Sequence, residues 1–328
     1  MDYTELPDSK KIKPTKVSSL TYYSEGPVID SSGNLYISHG NAISKLIEEK
    51  TLIPWTRTTA PNGHKILANG DHLVCDGKHN AVLLLNRNGK IIGKAASGSY
   101  KDLEITSPND LCLHPNGGFY FTDSLPKIGV VYYVNHAKTI HVLARNLDIP
   151  NGIALSENCR QLFVSESSTN RILLFEIDEK GMSTSAPTIF ADLPRNERKG
   201  KDAVNMPDGI ALDAAGRVWV AHYGMQAIQV LSPEGKLLAT YDTGIRCTSN
   251  ICFGSKNLTT VFVTGGEGEP TPGALIRLNV GVPGLPVARH ALRVVNRLGI
   301  IRPTNQTVVE HELRLASKVP DGFRPPIL

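Results

Sequence analysis

Short apolar stretches and turn residues alternate along this chain in a pattern that occurs six times. Each copy has a polar residue, a short apolar stretch, a turn, and a second apolar stretch that ends in polar residues. The copies begin at Glu25, Asn62, Asn109, Asn151, Asp208 and Asn250. In four copies a turn glycine follows eight residues later, at Gly33, Gly70, Gly117 and Gly216. Apolar runs of this length between turn residues predict two β-strands in every copy.

A further β-rich stretch follows each copy, and several of these stretches contain a hairpin signal, as at Asn88-Gly89 and Pro233 to Gly235. Each unit therefore predicts about four strands in roughly 40 to 55 residues. Almost no segment has the 3.6-residue apolar period of a long helix. Six four-stranded repeats predict an all-β, six-bladed β-propeller with a central channel, because radial repetition protects the edges of the sheets. An irregular pair of β-sandwiches is the alternative.

Two segments fall outside the repeats, which run from about residue 20 to 285 of a single predicted domain covering 1–328. Segment 1–20 is a candidate for an outer strand that closes the last blade onto the first. Segment 286–328 is a C-terminal extension that includes a stretch of amphipathic character, ARHALRVVNRLGI. The sequence leaves open whether this extension completes the sixth blade, covers a face, or forms contacts between copies in a homo-oligomer.

Composition narrows the classes of partner. A net charge of +4, from 35 Lys and Arg against 31 Asp and Glu, is spread along the chain in short mixed stretches and predicts no nucleic-acid partner. The longest apolar runs are far shorter than the ~20 residues that span a bilayer, and the polar N-terminus lacks a secretory signal. We therefore expect no membrane partner and a cytoplasmic location. Five cysteines without a CxxC pair predict free thiols in a reducing compartment.

The residues that open the six copies share one chemical property. All are carboxylates or amides, although Asp and Asn are disfavoured in strands. In a propeller the innermost strand of each blade lines the central channel, so these oxygen-bearing side chains form a ring. Such a ring suits one hard divalent cation, Ca²⁺, Mg²⁺ or Mn²⁺. The turn chemistry of Asn and Asp is the alternative at each single position, and we assign Asn62 and Asn250 as channel-lining residues only.

The second strand of each copy returns antiparallel to the first, so its polar end lies on the face where the first strand begins. These ends predict a rim of substrate-binding side chains above the cation, with the candidates Asp123, Ser124, Glu166, His222 and Tyr223. Strand ends exposed to solvent are polar by default, so an ordinary rim is the alternative for each residue. We expect Trp219, just before His222, to pack between blades.

The motifs EGPV, PNDL, PNGIAL and PDGIALDAAGRVWVA fall in register on four different blades, and they resemble the gluconolactonase/regucalcin/luciferin-regenerating family of six-bladed propellers. The resemblance extends over roughly residues 20 to 285. It implies one divalent cation in the channel, held by Glu25, Asn109, Asn151 and Asp208. Calcium is the first choice, with Mg²⁺, Mn²⁺ and Zn²⁺ as alternatives. Propellers similar to diisopropyl-fluorophosphatase have a similar quartet, so the quartet indicates an architecture more than a substrate.

The same resemblance implies hydrolysis of a small-molecule lactone or related cyclic ester. The cation would polarise the carbonyl group, and Asp208 would accept a proton from the attacking water as general base. No GxSxG, HExxH, Walker or GxGxxG motif indicates another chemistry. Ser107 stands where sugar-lactone hydrolases of the family often have an arginine that binds substrate hydroxyls, and it is a further substrate-binding candidate. The alternatives are isomerisation, dehydration or phosphotriester hydrolysis on the same centre, or a non-catalytic calcium-binding interaction propeller.

Overall fold

Six antiparallel sheets of four strands each account for most of the structure, a computed structural model that describes residues 5–48, 51–196 and 204–285. In chain order, the strands of the first three repeats and the segment before them are β1 (Thr15–Leu20), β2 (Ser24–Ile29), β3 (Leu35–His39), β4 (Ala42–Ile47), β5 (Thr51–Arg57), β6 (Pro61–Ile66), β7 (His72–Asp76), β8 (Ala81–Leu85), β9 (Ile91–Ser97), β10 (Ser99–Tyr100), β11 (Leu103–Glu104), β12 (Pro108–Leu113), β13 (Phe119–Asp123), β14 (Gly129–Val134) and β15 (Ile140–Leu147). The strands of the last three repeats are β16 (Pro150–Leu155), β17 (Gln161–Glu166), β18 (Arg171–Glu176), β19 (Thr188–Asp192), β20 (Met206–Leu212), β21 (Val218–Tyr223), β22 (Ala227–Leu231), β23 (Leu237–Asp242), β24 (Cys247–Gly254), β25 (Thr260–Gly266) and β26 (Gly273–Asn279).

The sheets follow the repeats one for one. Blades 1 to 5 are β2–β5, β6–β9, β12–β15, β16–β19 and β20–β23, and in each the strand order follows the chain from the inside outwards. The only helical element in the described residues is one 3-10 turn, Ser167–Thr169. The six-bladed propeller predicted from the repeats is therefore confirmed, and the alternative of two β-sandwiches is wrong because the strands form six separate four-stranded sheets.

The sixth blade joins the two ends of the described chain. Its strands are β24, β25 and β26 followed by β1, which pairs antiparallel with β26 from Thr15 opposite Arg277 to Leu20 opposite Gly273. The Ser24 hydroxyl, at the start of blade 1, donates to the Ala274 carbonyl at 2.7 Å. The predicted outer strand from segment 1–20 is confirmed, whereas the extension 286–328 lies outside the described residues.

The turns between the first two strands of each repeat explain the regular glycine spacing. Gly33, Gly70, Gly117 and Gly216 all have φ between +78° and +88°, a backbone region that other residues rarely adopt without strain. Each of these glycines follows the residue that opens its copy by eight residues, so the four copies place equivalent residues at the start of the inner strand.

Aromatic packing joins neighbouring blades, as expected for Trp219. This side chain is fully buried on β21, stacks on Tyr241 of its own blade at 5.4 Å between ring centroids, and meets the edge of Phe253 of blade 6 at 5.3 Å. Its indole N–H donates to the Asp213 carboxylate at 2.9 Å. The core is thus a series of apolar layers between blades, which leaves the inner strands to form the channel.

Candidate metal centre

A β-bulge near the start of each inner strand forms the wall of the channel. The register of β12, for example, shifts between Pro108, which pairs with Asp123, and Leu111, which pairs with Phe121. The corresponding shifts in the other inner strands follow Glu25, Pro61, Pro150, Pro207 and Thr248. A bulge bends the strand and redirects its side chains. In blades 2 to 5 the ring residue lies within the bulge, whereas Glu25 in blade 1 still pairs with Ser38.

Hydroxyl groups from neighbouring blades hold the backbone of this ring. Ser38, Thr122 and Ser165, at equivalent points on second strands, each donate to the carbonyl of the ring residue on the next blade. The acceptors are Asn62 at 2.8 Å, Asn151 at 2.8 Å and Asp208 at 2.7 Å. The ring is therefore a rigid frame shared between blades, which is the condition for preorganised ligands.

Glycine follows the ring residue in four blades because the inner strands approach one another closely. A Cβ atom on Gly26 would lie 2.1 Å from the Asn62 carbonyl oxygen, and one on Gly152 would lie 2.1 Å from that of Asp208. The Gly-containing motifs EGPV, PNGIAL and PDGIAL thus have a packing cause in addition to their turn chemistry. In blades 3 and 6 this second position holds Asp110 and Asn250 instead.

The sixth copy is one residue out of register with the sequence-based alignment. Thr248 pairs with Gly265 and Asn250 pairs with Thr264, so Ser249 is the bulged residue. Ser249 therefore stands where Asn109 stands in blade 3, and Asn250 corresponds to Asp110. Our placement of Asn250 among the ring-opening residues is wrong, because the sequence Asn250-Ile251-Cys252 imitates the polar-to-apolar start of the other copies.

Two carboxylates of the predicted quartet interact within the channel. The pKa of Glu25 is raised by burial and then by repulsion from Asp110, while that of Asp208 is raised by burial and then by repulsion from Glu25. The Asn250 amide and the Gly26 N–H, the latter at 3.3 Å, donate to Glu25. These donors only partly offset the cost of holding two negative charges in a confined space.

The side chain of Asn151 has the arrangement that a cation ligand requires. Its amide N–H donates to the Asp208 carboxylate, and its buried Oδ1 atom has no hydrogen-bond partner within the described ranges. The Oδ1 atom of Asn62 is buried and unpartnered in the same way, while Asn109 is half-buried at the equivalent position of blade 3. Unpartnered acceptor oxygens are rare in a protein interior. Together with the repelling carboxylates they fit a hard divalent cation.

The side chains that could bind a cation here are of two chemical types, carboxylates and amides. Among residues 5–48, 51–196 and 204–285, no three His, Cys, Asp or Glu side chains come together as a metal-binding group. A cation in this channel would therefore depend on amide oxygens as well as on the two carboxylates, as the quartet of Glu25, Asn109, Asn151 and Asp208 allows.

Comparison with known proteins decides the family. The family model described as SMP-30/Gluconolactonase/LRE-like region matches residues 23–267, most of the chain. The chain belongs to this family. The resemblance inferred from the sequence motifs is thereby confirmed.

Named relatives in the SMP-30/gluconolactonase/LRE-like family include several lactonases. The pentonolactonase XacC of Haloferax volcanii is 23% identical over 62% of this chain and 74% of that protein. The gluconolactonase of Zymomonas mobilis is 27% identical over 62% of this chain and 60% of its own length. Lactonase drp35 of Staphylococcus haemolyticus is 33% identical, over 39% of each chain. The alignments thus span only part of these relatives.

Solved structures confirm the fold of this family member. The gluconolactonase XC5397 from Xanthomonas campestris superposes with a TM-score of 0.70 at 23% identity, over 83% of this chain and 91% of that one. The calcium-binding protein regucalcin from Agrobacterium tumefaciens gives a TM-score of 0.69 at 18% identity, over 84% and 96%. In the part of the chain that the structure describes, no helix is long and apolar enough to cross a membrane.

Two acidic rim candidates accept hydrogen bonds from loops of the protein itself. Asp123 is fully buried and accepts the backbone N–H groups of Thr106 and Ser107. Glu166 is also buried, and its donors are the Asp148 N–H at 3.0 Å, the Thr169 hydroxyl at 2.7 Å and the Arg171 Nε at 2.6 Å. Both carboxylates lie at second-strand ends as expected, but these contacts give them a structural role in holding the loops before the inner strands.

The remaining rim candidates differ in exposure. His222 is fully buried, and its Nε2 lies 2.8 Å from Asn170 Oδ1, a contact within the protein. Ser107 and Ser124 are half-buried and joined by a backbone hydrogen bond of 2.8 Å. Tyr223 is half-buried and makes an edge contact with Tyr23 at 6.2 Å between ring centroids. Of the six candidates, only the two serines and Tyr223 retain partly exposed side chains.

Several residues near the quartet were absent from the sequence-based prediction. Tyr23 lies two residues before Glu25, and burial followed by the charge of Glu25 raises its pKa. Glu269 is exposed on the loop between β25 and β26 and is close enough to act electrostatically on Tyr23, Glu25 and Asp208. The Tyr23 N–H donates to the Pro270 carbonyl at 2.9 Å, which fixes this loop beside the channel.

Asp110 was also missed, although it is part of the PNDL motif. Its side chain is 1% exposed, and Lys65 Nζ lies 3.7 Å from its Oδ1 atom. The sequence signal was available, since an acidic residue directly after a ring residue is unusual in a strand. Its proximity to Glu25 could not be inferred from spacing alone, because the two lie on different blades.

Proposed function

We propose that this chain is a divalent-metal-dependent hydrolase that opens a lactone or related cyclic ester. The observation that carries the proposal is the Asn151 side chain, which donates to the Asp208 carboxylate while its own buried oxygen has no partner among the described residues. An amide in this orientation has its acceptor available for a cation. The family and the lactonase names of its relatives support lactone chemistry on such a centre.

Each member of the quartet has a proposed role. Glu25, Asn109, Asn151 and Asp208 would hold one cation, with Ca²⁺ as the first choice and Mg²⁺, Mn²⁺ or Zn²⁺ as alternatives. When bound, the cation would polarise the lactone carbonyl and stabilise the negative charge that develops on its oxygen. Asp208 would accept a proton from water as the water oxygen adds to the carbonyl carbon. The ring C–O bond then breaks, and the leaving oxygen takes the proton to give a hydroxy acid.

The channel mouth suggests which lactones are preferred. Tyr23 lies near enough to Glu25 and Asp208 for their charges to raise its pKa, and its ring contacts that of Tyr223. Ser107 stands in place of a guanidinium that would bind substrate hydroxyls, and its short side chain offers one hydroxyl. We therefore expect this enzyme to discriminate less strongly in favour of polyhydroxylated lactones than relatives with arginine at this position.

The decisive experiment is lactone opening measured by pH-stat on a panel of lactones, with EDTA-treated protein and protein refilled with each of the four cations. We expect activity to disappear on treatment and to return with one ion. In refilled protein, Asp208→Asn should lower kcat by about 10²-fold or more, because it removes the proton acceptor. Asp192→Asn, an exposed residue on an outer strand, should retain wild-type activity.

Full turnover by Asp208→Asn would contradict the assignment of the base. If the protein binds a cation but opens no lactone, a panel containing phosphotriesters tests other chemistry on the same centre. No turnover on either panel would favour a calcium-binding interaction propeller.

A further inference from the structure

A lysine on an inner strand forms an ion pair with Asp110. Lys65, on β6, is three residues beyond the ring residue Asn62, and its Nζ lies 3.7 Å from Asp110 Oδ1. Its side chain is 23% exposed whereas that of Asp110 is 1% exposed. Because Lys65 and Asp110 belong to neighbouring blades, the ion pair joins blades 2 and 3 along the inner wall.

Asp110 is held firmly in this position. Its Oδ1 accepts the Leu111 N–H at 2.8 Å, and its own N–H donates to the Thr122 hydroxyl at 3.1 Å. A Cβ on Gly63 would lie only 2.5 Å from the same Oδ1 atom, so the glycine makes room for the carboxylate. Asp110 therefore has a fixed position, from which it acts electrostatically on both Glu25 and Asp208.

The sum of the charges in this group indicates a role for Lys65. With Glu25, Asp110 and Asp208 ionised and Lys65 protonated, these four side chains have a net charge of −2, and the charge of the nearby Glu269 is exposed to solvent and screened. One divalent cation neutralises it, whereas without the lysine a charge of −1 would remain in a confined, partly desolvated site. Uncompensated charge in such a site is costly. The lysine also repels a bound cation, so it lowers affinity while it balances charge.

We propose that Lys65 is the built-in counter-cation of the candidate metal centre and that, through Asp110, it sets the affinity of this centre for divalent cations. The inference rests on the metal binding proposed above. Lys65 is a positioning residue in this scheme, since its ion-pair partner in the described part of the chain is Asp110, which is not a proposed cation ligand.

The test is calorimetric titration of EDTA-treated protein with Ca²⁺ at constant pH and ionic strength, alongside thermal unfolding of the metal-free protein. Lys65→Met should bind Ca²⁺ about tenfold more tightly, because a nearby positive charge is gone. The same variant should unfold at a lower temperature without metal, because the buried Asp110 carboxylate then lacks its counter-charge. Asp110→Asn should bind Ca²⁺ about tenfold more weakly, because Lys65 then repels the cation without compensation.

Four further variants separate the effect of charge from that of packing. Lys65→Arg keeps the charge and should retain wild-type affinity. The double variant Lys65→Met/Asp110→Asn should return close to wild-type affinity, since the site with its cation is again neutral. Lys94→Met removes an exposed lysine from the outer strand of the same blade and should change neither quantity. If Lys65→Met is unstable, Lys65→Gln makes the same charge change with a polar side chain.

The outcomes distinguish this proposal from the proposed function. If Lys65→Met and Lys65→Gln bind Ca²⁺ with unchanged or weaker affinity, the counter-cation role is wrong, and a lower unfolding temperature would then indicate packing only. If the wild type binds Ca²⁺ and shows the expected charge effects but opens no lactone, the lactonase proposal fails and the charge proposal stands. If the wild type binds no divalent cation, both are overturned.

Discussion

An amide side chain can orient a carboxylate and offer a ligand oxygen at the same time, and Asn151 is arranged to do both. Its N–H group donates to Asp208, while Oδ1 has no hydrogen-bond partner in the part of the chain that the structure describes. An aspartate at this position could not donate to Asp208 and would add a third charge to the pair with Glu25. The residue type at this ring position therefore follows from the need for one donor and one acceptor.

Replacing this amide should weaken the centre measurably. Asn151→Ala removes the free oxygen and the donor to Asp208, so we expect affinity for Ca²⁺ to fall by about 10²-fold, at the upper end of losses found when ligand support is removed. Calorimetric titration of EDTA-treated protein measures this change. Asn62→Ala is the informative comparison, because the Asn62 Oδ1 is also buried and unpartnered. A similar loss would make Asn62 a fifth ligand, and unchanged affinity in Asn151→Ala would place the cation elsewhere.

At this scale the sequence predicted which positions are equivalent but not what each side chain contacts. Asp123 and Glu166 lie at strand ends, as expected, but the sequence does not show whether such an end faces a ligand or a loop of its own blade. The misplacement of Asn250 has a related cause. The sequence pattern identifies a polar residue before an apolar run, but it does not show which of two adjacent polar residues is the one in the bulge. Only the pairing of β24 with β25 separates Ser249 from Asn250.

At the scale of elements, the contact between blades 1 and 2 contains a buried pair of histidines. His64 Nε2 lies 2.7 Å from His72 Nδ1, and both rings pack against Tyr36 and Trp55. Burial lowers the pKa of His72 to about 4, and burial followed by the charge of His72 lowers that of His64 well below its ordinary value. Both rings are therefore neutral in the folded protein near pH 7, and one donates to the other.

This pair predicts a loss of stability in mild acid. The pKa values are depressed on folding, so between about pH 6.5 and pH 4 the unfolded chain binds protons that the folded chain excludes. Stability is fully present above pH 6.5 and falls as the pH drops, by up to about 2 kcal/mol per histidine at pH 5. Urea unfolding at pH 7.5 and pH 5.0 measures the effect.

The control for this prediction compares pH responses, since replacing a buried ring also alters packing. His72→Gln should reduce the difference in unfolding free energy between the two pH values. His136→Gln, which changes an exposed histidine, should leave that difference as in the wild type. An identical pH response in all three proteins would show that the buried pair is not the source.

At the scale of the whole molecule, the six-fold repeat was enough to predict the propeller because each blade leaves its faces and edges to be covered by neighbours. The turn glycines fixed the register of four blades before any contact was known. The closure of blade 6 was harder to predict, since β1 has no counterpart among the repeats and lies more than 250 residues before its partner β26. The ring itself depends on this closure, because Ser24 and Ser249 come from the two sides of the junction and share a 2.7 Å hydrogen bond.

Because all six blades meet at this ring, occupancy of the candidate metal centre should control the stability of the entire propeller. A ligand that binds only the folded state stabilises it by about 2.7 kcal/mol at a free concentration 100-fold above its Kd. We therefore expect EDTA treatment to lower the unfolding temperature and Ca²⁺ to restore it in a concentration-dependent way. The double variant Glu25→Gln/Asp208→Asn removes the two repelling charges, so its metal-free form should unfold at a higher temperature than metal-free wild type. It should also lose the response to Ca²⁺, and a retained response would mean that the cation binds outside the ring.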